Sequence, residues 1–458
     1  MIPTKPIQLL ATASLCVGFF TTSHAYGDIS YAAPLPGISP EQKLDFYLGE
    51  AIFQKFWIPA PSSTTASDGL GPIFNARSCN NCHINNGRGH APEDTIAGSQ
   101  IPSFLVRLGP KVTTQFADTD IYQHTGDPVY GQQFQIAHTA GVLSEGDYHL
   151  DYQYKTEELA DGTKVTLRKP ILTWDTLHYG PMDSNTGLSM RVSPPLVGMG
   201  LLDNIPQQNI LSKADPDDID RDGISGKASW VKYKGQTQLG RFGFKASMPS
   251  VSAQNQNAFN TDLGLSTPDF SAAFGDCTEA QSNCRNAPDG NSPHLENLEV
   301  DSSQINLVNS FIALSAPPAM RNLKQPWFLD GKAIFDDLSC GACHTPKMVT
   351  DDTSEFSVLR NRTFFPFTDM LLHDMGDELA SEFPEASAEP REWRTAPLWG
   401  LGLSEKISGR IGFLHDGRAQ SLEEAILWHG GEALPSKEKY TQLNAQQRLL
   451  LQRFLESL

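Results

Sequence analysis

Positive charge is scarce in this sequence. Its 458 residues carry 35 lysines and arginines against 53 aspartates and glutamates, a formal net charge of -18. That balance argues against nucleic acid or an anionic membrane surface as partner and suits steering of a small basic protein. Long apolar runs are absent after the first twenty residues, so no later segment is long enough to anchor the chain across a bilayer. The early run, 7–20, follows Lys5 and ends before Ser23-His24-Ala25, which reads as a secretory signal peptide over 1–25. The mature chain then begins near Tyr26 in the periplasm, and its length suggests two or three domains. Cysteine is sparse too, with seven in all.

Four of those seven stand in a pattern that occurs twice. Cys79-Asn80-Asn81-Cys82-His83 and Cys340-Gly341-Ala342-Cys343-His344 are both C-x-x-C-H, the attachment signature of c-type haem. Two thiols three positions apart on a helical turn reach one porphyrin edge, and the adjacent imidazole swings under the ring to the iron. Random placement of this composition gives the string about 0.003 times. Zinc needs the pairs gathered into one tetrahedron and gives no reason for a His after each. A thioredoxin-type dithiol leaves the duplicated His unexplained as well. The reading is two covalently bound haem c groups, with His83 and His344 as iron ligands. Cys16 leaves with the signal. Cys277 and Cys284 remain as a local pair, a disulfide in an oxidising compartment or else two free thiols.

The motifs sit inside an internal repeat. Ile73-Phe74 before Ser78-Cys79 matches Ile334-Phe335 before Ser339-Cys340, and P-L-x-G-x-G-L occurs at 195–201 and 397–403. From His83 to Pro195 is 112 residues and from His344 to Pro397 is 53, so the first unit carries an insertion of 59. Alternation over 148–154, the turn Ala160-Asp161-Gly162 and the β-branched stretch 164–174 predict a hairpin there. A second hairpin is predicted over 229–244 around Lys234-Gly235. Helical periodicity covers 41–57, 302–313, 331–338, 421–428 and 445–458. Ser421 and Glu424 form a capping box. The expected fold is mainly α, with two cytochrome c-like haem domains, 26–320 and 321–458, and a β-containing insertion in the first over about 100–250. Asp218, Asp220, Asp222 and the Ile224 carbonyl resemble the first half of an EF-hand loop and offer oxygens to Ca²⁺, but no Glu closes the loop, and an ordinary polar turn is the alternative.

Residues 69–89, 191–202, 371–376, 393–403 and 413–433 resemble the dihaem oxidoreductases described as peroxidases or thiol oxidoreductases. More distantly the chain is similar to bacterial dihaem cytochrome c peroxidases and to the dihaem enzymes that build a tryptophan-derived cofactor. In the peroxidases a Met follows an E-E-A-V string by three places and binds the second haem. In the cofactor-building relatives a Tyr stands there. Here the string is Glu423-Glu424-Ala425-Ile426 and the residue is His429. The resemblance therefore implies His344 and His429 as the ligands of haem 2, with a lower potential than a Met would give. A helix C-terminal His favoured by the macrodipole is the alternative, and Met370 and Met375 are the next ligand candidates.

Haem 1 has His83 and no clear ligand on its other side, which makes it the candidate reactive centre; His90 is the nearest residue able to cap it. Asp203 is the candidate acid/base for O–O cleavage and Arg191 the stabilising cation. His373 and His415, each followed by Asp, are candidates for propionate contacts or structural roles. Trp393, Trp399 and Trp428 are candidate electron relays or core residues. The expected function is a periplasmic dihaem oxidoreductase that reduces peroxide with electrons from a small redox donor protein. An electron-transfer cytochrome and a thiol or sulfur-compound oxidoreductase are the competing classes.

Overall fold

The computed structural model describes residues 30–93, 98, 100–111 and 125–458. The stretch read as a signal peptide lies outside them. Six helices and seven strands frame the site: α1 Pro40–Gln54, α2 Val251–Leu263, α3 Ser302–Leu314, α4 Pro326–Asp337, α5 Leu422–Leu427 and α6 Ala445–Ser457, with β1 Phe104–Pro110, β2 Gln133–Phe134, β3 Gly146–Glu158, β4 Lys164–Leu177, β5 Thr186–Val192, β6 Trp230–Tyr233 and β7 Gln236–Leu239.

Helix α1 begins where Ser39 and Gln42 close a capping box around Pro40. Its buried face, Phe46, Gly49 and Phe53, lies against α3. A Cβ on Gly49 would run into the Leu307 carbonyl oxygen, so the backbones can approach only without one. Phe311 of α3 sits 5.0 Å from Phe46 and 5.1 Å from Phe53, ring centre to ring centre. Helices α4 and α6 repeat the arrangement. Phe328, Gly331 and Phe335 stand at the same spacing, a Cβ on Gly331 would meet the Leu450 carbonyl, and Phe454 lies 5.2 and 5.5 Å from the two phenylalanines. Each crossing buries three phenylalanines, and each buried ring contributes about 1.5–3 kcal/mol.

The hairpin predicted over 148–174 is present and longer than expected. Strands β3 and β4 pair from Gly146↔Leu177 to Glu158↔Lys164. The tip of this hairpin crosses to the second unit: Leu159 and Leu167 join the core of Phe328 and Phe454, and Glu157 and Asp161 pair with Lys437 and Arg448 at 3.2 and 3.0 Å. Strands β6 and β7 form the second hairpin around Lys234-Gly235, shorter than expected. Strand β1 pairs with both β2 and β5, a three-stranded sheet beside the first motif.

The mainly α expectation, with cytochrome c-like domains, is overturned. The chain is 29% helical and 19% strand, with many small sheets. Outside the two hairpins, pairs of two or three residues stitch the loops near both motifs, such as Ile73↔His138, Met348↔Phe364 and His373↔Trp393. Strands this short are held by tertiary contact and leave no alternating pattern to read. Among the described residues no helix is long and apolar enough to cross a membrane.

Replacing either crossing glycine by alanine should lower unfolding stability by about 1–3 kcal/mol or more. At Gly341 a Cβ would only touch Phe335 at 3.6 Å, so Gly341→Ala should cost far less. Denaturant midpoints of Gly49→Ala, Gly331→Ala and Gly341→Ala check this.

Candidate functional site

Both motifs open onto one cavity of about 430 Å³. Cys79–Cys82 forms a helical turn that closes with His83 N–H donating to the Cys79 carbonyl at 2.9 Å, and His344 does the same to Cys340 at 3.0 Å. The four thiols are unpaired. Among the described residues no Cys and His side chains gather into a metal cluster, so the zinc alternative fails on geometry. Burial pushes the Cys79 and Cys340 thiols up to about 12, the opposite of a reactive dithiol. Cys277 and Cys284 form a disulfide in a separate small core, so among the described residues no free thiol other than the motif cysteines meets the cavity.

Three histidines share one arrangement. His83 Nδ1 lies 2.7 Å from the Pro194 carbonyl, His344 Nδ1 3.0 Å from that of Phe367 and His429 Nδ1 2.7 Å from that of Ala425. Each Nδ1–H donates to a carbonyl, which leaves Nε2 as the lone-pair atom, and all three rings border the cavity. Burial holds His83 and His344 down at about 4, and the charge of His429 also opposes that of His344. His429 is delivered by α5, whose N-terminus is capped by Ser421; Glu424 reaches back to the amide of Gln420.

The cavity wall also holds donors with nothing to bind. Arg88 Nε, Arg107 Nε, Trp399 Nε1 and Thr395 Oγ1 are buried without a partner. Arg88 makes one long contact, 3.4 Å to the Leu414 carbonyl, and Arg394 donates to the carbonyls of Gly243 and Thr395, both at 3.1 Å. Burial drives both guanidinium groups down to about 10. Buried cations without anions are costly. Two haems would bring four propionates, and a cavity with two C-x-x-C-H turns, bare imidazole nitrogens and unanswered guanidinium groups fits them.

The wall near the second motif is highly charged. His373 is held between Asp369 at 2.8 Å and Glu432 at 2.6 Å, with the Cys343 sulfur at 3.5 Å. Burial alone would lower its affinity for a proton, but these hydrogen bonds overcome it and raise it to about 12, so the ring is an imidazolium. His415 is the reverse. It stacks on Trp393 with ring centres 3.8 Å apart, and burial sets it down at about 3, hence neutral.

Near the first motif the wall is the amide-rich face of α2, with Gln254, Asn257, Thr261 and Asp262. The Asp262 carbonyl accepts from the amides of Asn75 and Ala76, which ties this helix end to the strand before Cys79. Its carboxylate accepts from Gln133 Nε2 at 2.8 Å, and burial raises it. Met199 and Met248 reach the same cavity.

Asp203 does not border it. Its carboxylate accepts from the Val251 amide at 3.2 Å, at the first residue of α2, where a helix N-terminus favours an anion. Arg191 borders the cavity and is bound to Glu385 at 2.6 Å. His90 and Met370 lie outside the wall, whereas Met375, Trp393 and Trp399 line it. Trp428 sits behind His429 with Lys155 and Arg418 over its ring at 4.2 and 4.6 Å. His138, His149 and His178 do not reach the cavity, and His124 lies outside the described residues. In the acidic loop, Asp215, Asp218 and Asp220 bring carboxylate oxygens within 4.8 Å of one another. Asp222 instead bonds the Ile224 amide at 2.8 Å. The loop closes on itself as a polar turn, and the Ca²⁺ alternative rests on that trio alone. Asp262, Gln133, Arg88 and Arg107 were missed. The signal for Asp262 was a helix with polar residues at 254, 257 and 261, a stripe that an exposed helix shows equally.

Two C-x-x-C-H turns on one cavity, with three buried imidazoles on its wall, fit a two-haem redox protein. The chain belongs to the di-haem oxidoreductase family: the family model described as "Di-haem oxidoreductase, putative peroxidase" matches residues 12–105 and 119–458. No curated protein matches the chain. A solved structure of Kuenenia stuttgartiensis hydrazine synthase, pressurised with xenon, is 12% identical over 99% of this chain and 100% of its own, with a TM-score of 0.31, too loose a likeness to carry an argument.

With His429 as the second ligand of haem 2, His429→Ala should leave both haems attached and add a high-spin component to the absorption spectrum, which exogenous imidazole reverses. An unchanged spectrum would return His429 to a structural role.

Proposed function

We propose that this chain is a periplasmic dihaem c-type oxidoreductase that reduces hydrogen peroxide at the first motif with electrons from a small redox donor protein. The observation that carries the reading is the single cavity bordered by both motifs, with unlike surroundings at its two ends. Covalent attachment through Cys79, Cys82, Cys340 and Cys343 follows from their spacing, and export from the apolar run 7–20. When bound, haem iron supplies one-electron storage and, where a coordination position is open, a place for peroxide.

The protein's own contribution is chemical positioning. His83 would hold one iron from a single side. His344 and His429 would close the other from both sides and make it the electron store. Asp262, with its proton affinity raised by burial and Arg107 within charge–charge reach, takes the acid/base role in place of Asp203, which does not line the cavity. It would move a proton from the inner to the leaving oxygen of peroxide. Arg191 borders the cavity as a cation held by Glu385 rather than a free one.

A second reading is a pure electron carrier, and one observation favours it: the thioethers of Met199 and Met248 border the cavity, and either one on the first iron would close it. Asp262→Asn separates the two. Peroxide turnover should fall about 10²-fold with haem spectra unchanged, and Asp262→Glu should recover part of it. A rate equal to that of the unmodified protein would contradict the assignment.

A further inference from the structure

Two indoles line the cavity where segments belonging to the two motifs meet. Trp393 stands opposite His373 in a short strand pair, and His373 lies 3.5 Å from the Cys343 sulfur. The Trp393 ring stacks on His415, whose carbonyl accepts from the Val192 amide at 2.7 Å, two residues before the Pro194 carbonyl that binds His83. Trp399 follows Leu398, whose amide donates to the Pro366 carbonyl at 3.0 Å, beside the Phe367 carbonyl that binds His344. Its ring lies on Gly198, four residues after Pro194, where a Cβ would stand 2.5 Å from the indole. Trp393 and Trp399 are 7% and 6% exposed, so access to solvent does not distinguish them.

Charge does. Lys245 Nζ sits 3.8 Å from the centre of the Trp393 ring and the Arg191 guanidinium 5.8 Å from it, whereas among the described residues no lysine or arginine lies over Trp399. Lys245 is fully buried and donates to the carbonyls of Glu389, Pro390 and Glu392 at 3.1, 2.8 and 2.5 Å. Burial, with Arg191, pulls its proton affinity well down, and Glu385, Glu392 and Glu389 work against that. Three carbonyls take three N–H donors, and only the protonated amine has three, so the side chain is an ammonium. The Trp393 Nε1–H donates to the Leu379 carbonyl at 2.9 Å, an acceptor that cannot carry the proton away.

An ammonium is attracted to the face of a neutral indole. Once the ring has lost an electron, the same contact sets two positive charges against each other in a buried, low-dielectric place. Lys245 thus holds Trp393 in its reduced form. Lys155 and Arg418, 4.2 and 4.6 Å from the centre of the Trp428 ring, repeat the device beside His429.

We propose that Lys245, supported by Arg191, keeps Trp393 redox-silent, and that Trp399 is the cavity indole through which an oxidising equivalent leaves the haem positions. In that step Trp399 loses one electron, the site oxidised by peroxide gains it, and the external donor protein returns one electron to the ring. The proposal rests on the peroxide-reducing reading for its oxidant. Lys245 is a positioning residue that acts through Trp393.

The test gives the holoprotein excess hydrogen peroxide without an electron donor. It reads the tryptophan-radical signal by electron paramagnetic resonance and oxidised tryptophan by peptide mass spectrometry. In the unmodified protein oxidation should collect at Trp399, with Trp393 at about a tenth of that level or less. Trp399→Phe should remove the radical signal, and Trp393→Phe should leave it. Lys245→Met should raise oxidation of Trp393 about tenfold with haem spectra unchanged. Lys155→Met is the second variant should the first fail to fold: its side chain is 34% exposed, so its charge can be removed without opening the core, and oxidation should rise at Trp428 alone. Equal oxidation of Trp393 and Trp399 in the unmodified protein would overturn the proposal. So would a radical lost in Trp393→Phe and kept in Trp399→Phe, no oxidation at either indole, or no rise at the uncapped indole in either lysine variant. If peroxide leaves the haem spectra untouched, the peroxide-reducing reading falls by itself. Photogenerated tris(bipyridine)ruthenium(III), which needs no peroxide, then decides the proposal separately: Trp399 oxidised ahead of Trp393 supports it, and the reverse order sinks it.

Discussion

The constraint on which the rest depends is the close crossing of two helix pairs at Gly49 and Gly331. Each crossing brings three phenylalanines into contact and leaves the last of the helical pair, Phe53 or Phe335, on the cavity wall. The C-x-x-C-H turn follows a few residues beyond Phe335 and, after a longer loop, beyond Phe53. Because the two crossings are alike, two attachment turns end at one space. A side chain at either glycine would push a helix outward and move the wall against which a porphyrin has to lie.

Within that space electrostatics distinguishes the two ends. Around the second motif, Asp369 and Glu432 hold His373 as a cation beside the Cys343 sulfur, and three imidazole-bearing segments converge. Around the first, amides and one carboxyl group form the wall, with Arg107 donating to Gln133 at 3.5 Å and only its buried Nε unpartnered. A site with two imidazoles on one iron suits electron storage. A site with one imidazole and a carboxyl group whose proton affinity is raised by burial suits chemistry on a small oxidant. The hairpin β3–β4 leaves the first unit and pins the second through Lys437 and Arg448, so the halves are braced across the cavity they share.

What could be read in the chain beforehand was whatever chemistry forces into local spacing. Both attachment turns, the P-L-x-G-x-G-L repeat, the hairpin around Asp161-Gly162 and the position of His429 all depend on short-range sequence. Phe-x₂-Gly-x₃-Phe was equally regular but passed unnoticed, because helix contacts of this kind carry no unusual residue. The mainly α reading failed because two-residue strands are made by tertiary contact. Asp203 misled through its place in the chain: it follows the repeat closely, yet α3's neighbour α2 takes its carboxylate as a cap. Asp262 lies 179 residues after His83, and only folding brings it to the first motif.

The central claim is that the two haem positions are unlike, one open and one closed by two imidazoles. The most direct measurement is an electron paramagnetic resonance spectrum of the oxidised holoprotein, with and without peroxide, once two haems per chain are confirmed. A high-spin ferric signal that responds to peroxide, beside a low-spin signal of the bis-histidine kind that does not, is the predicted result. Two low-spin signals indifferent to peroxide, before and after partial reduction, would contradict the account and leave an electron carrier.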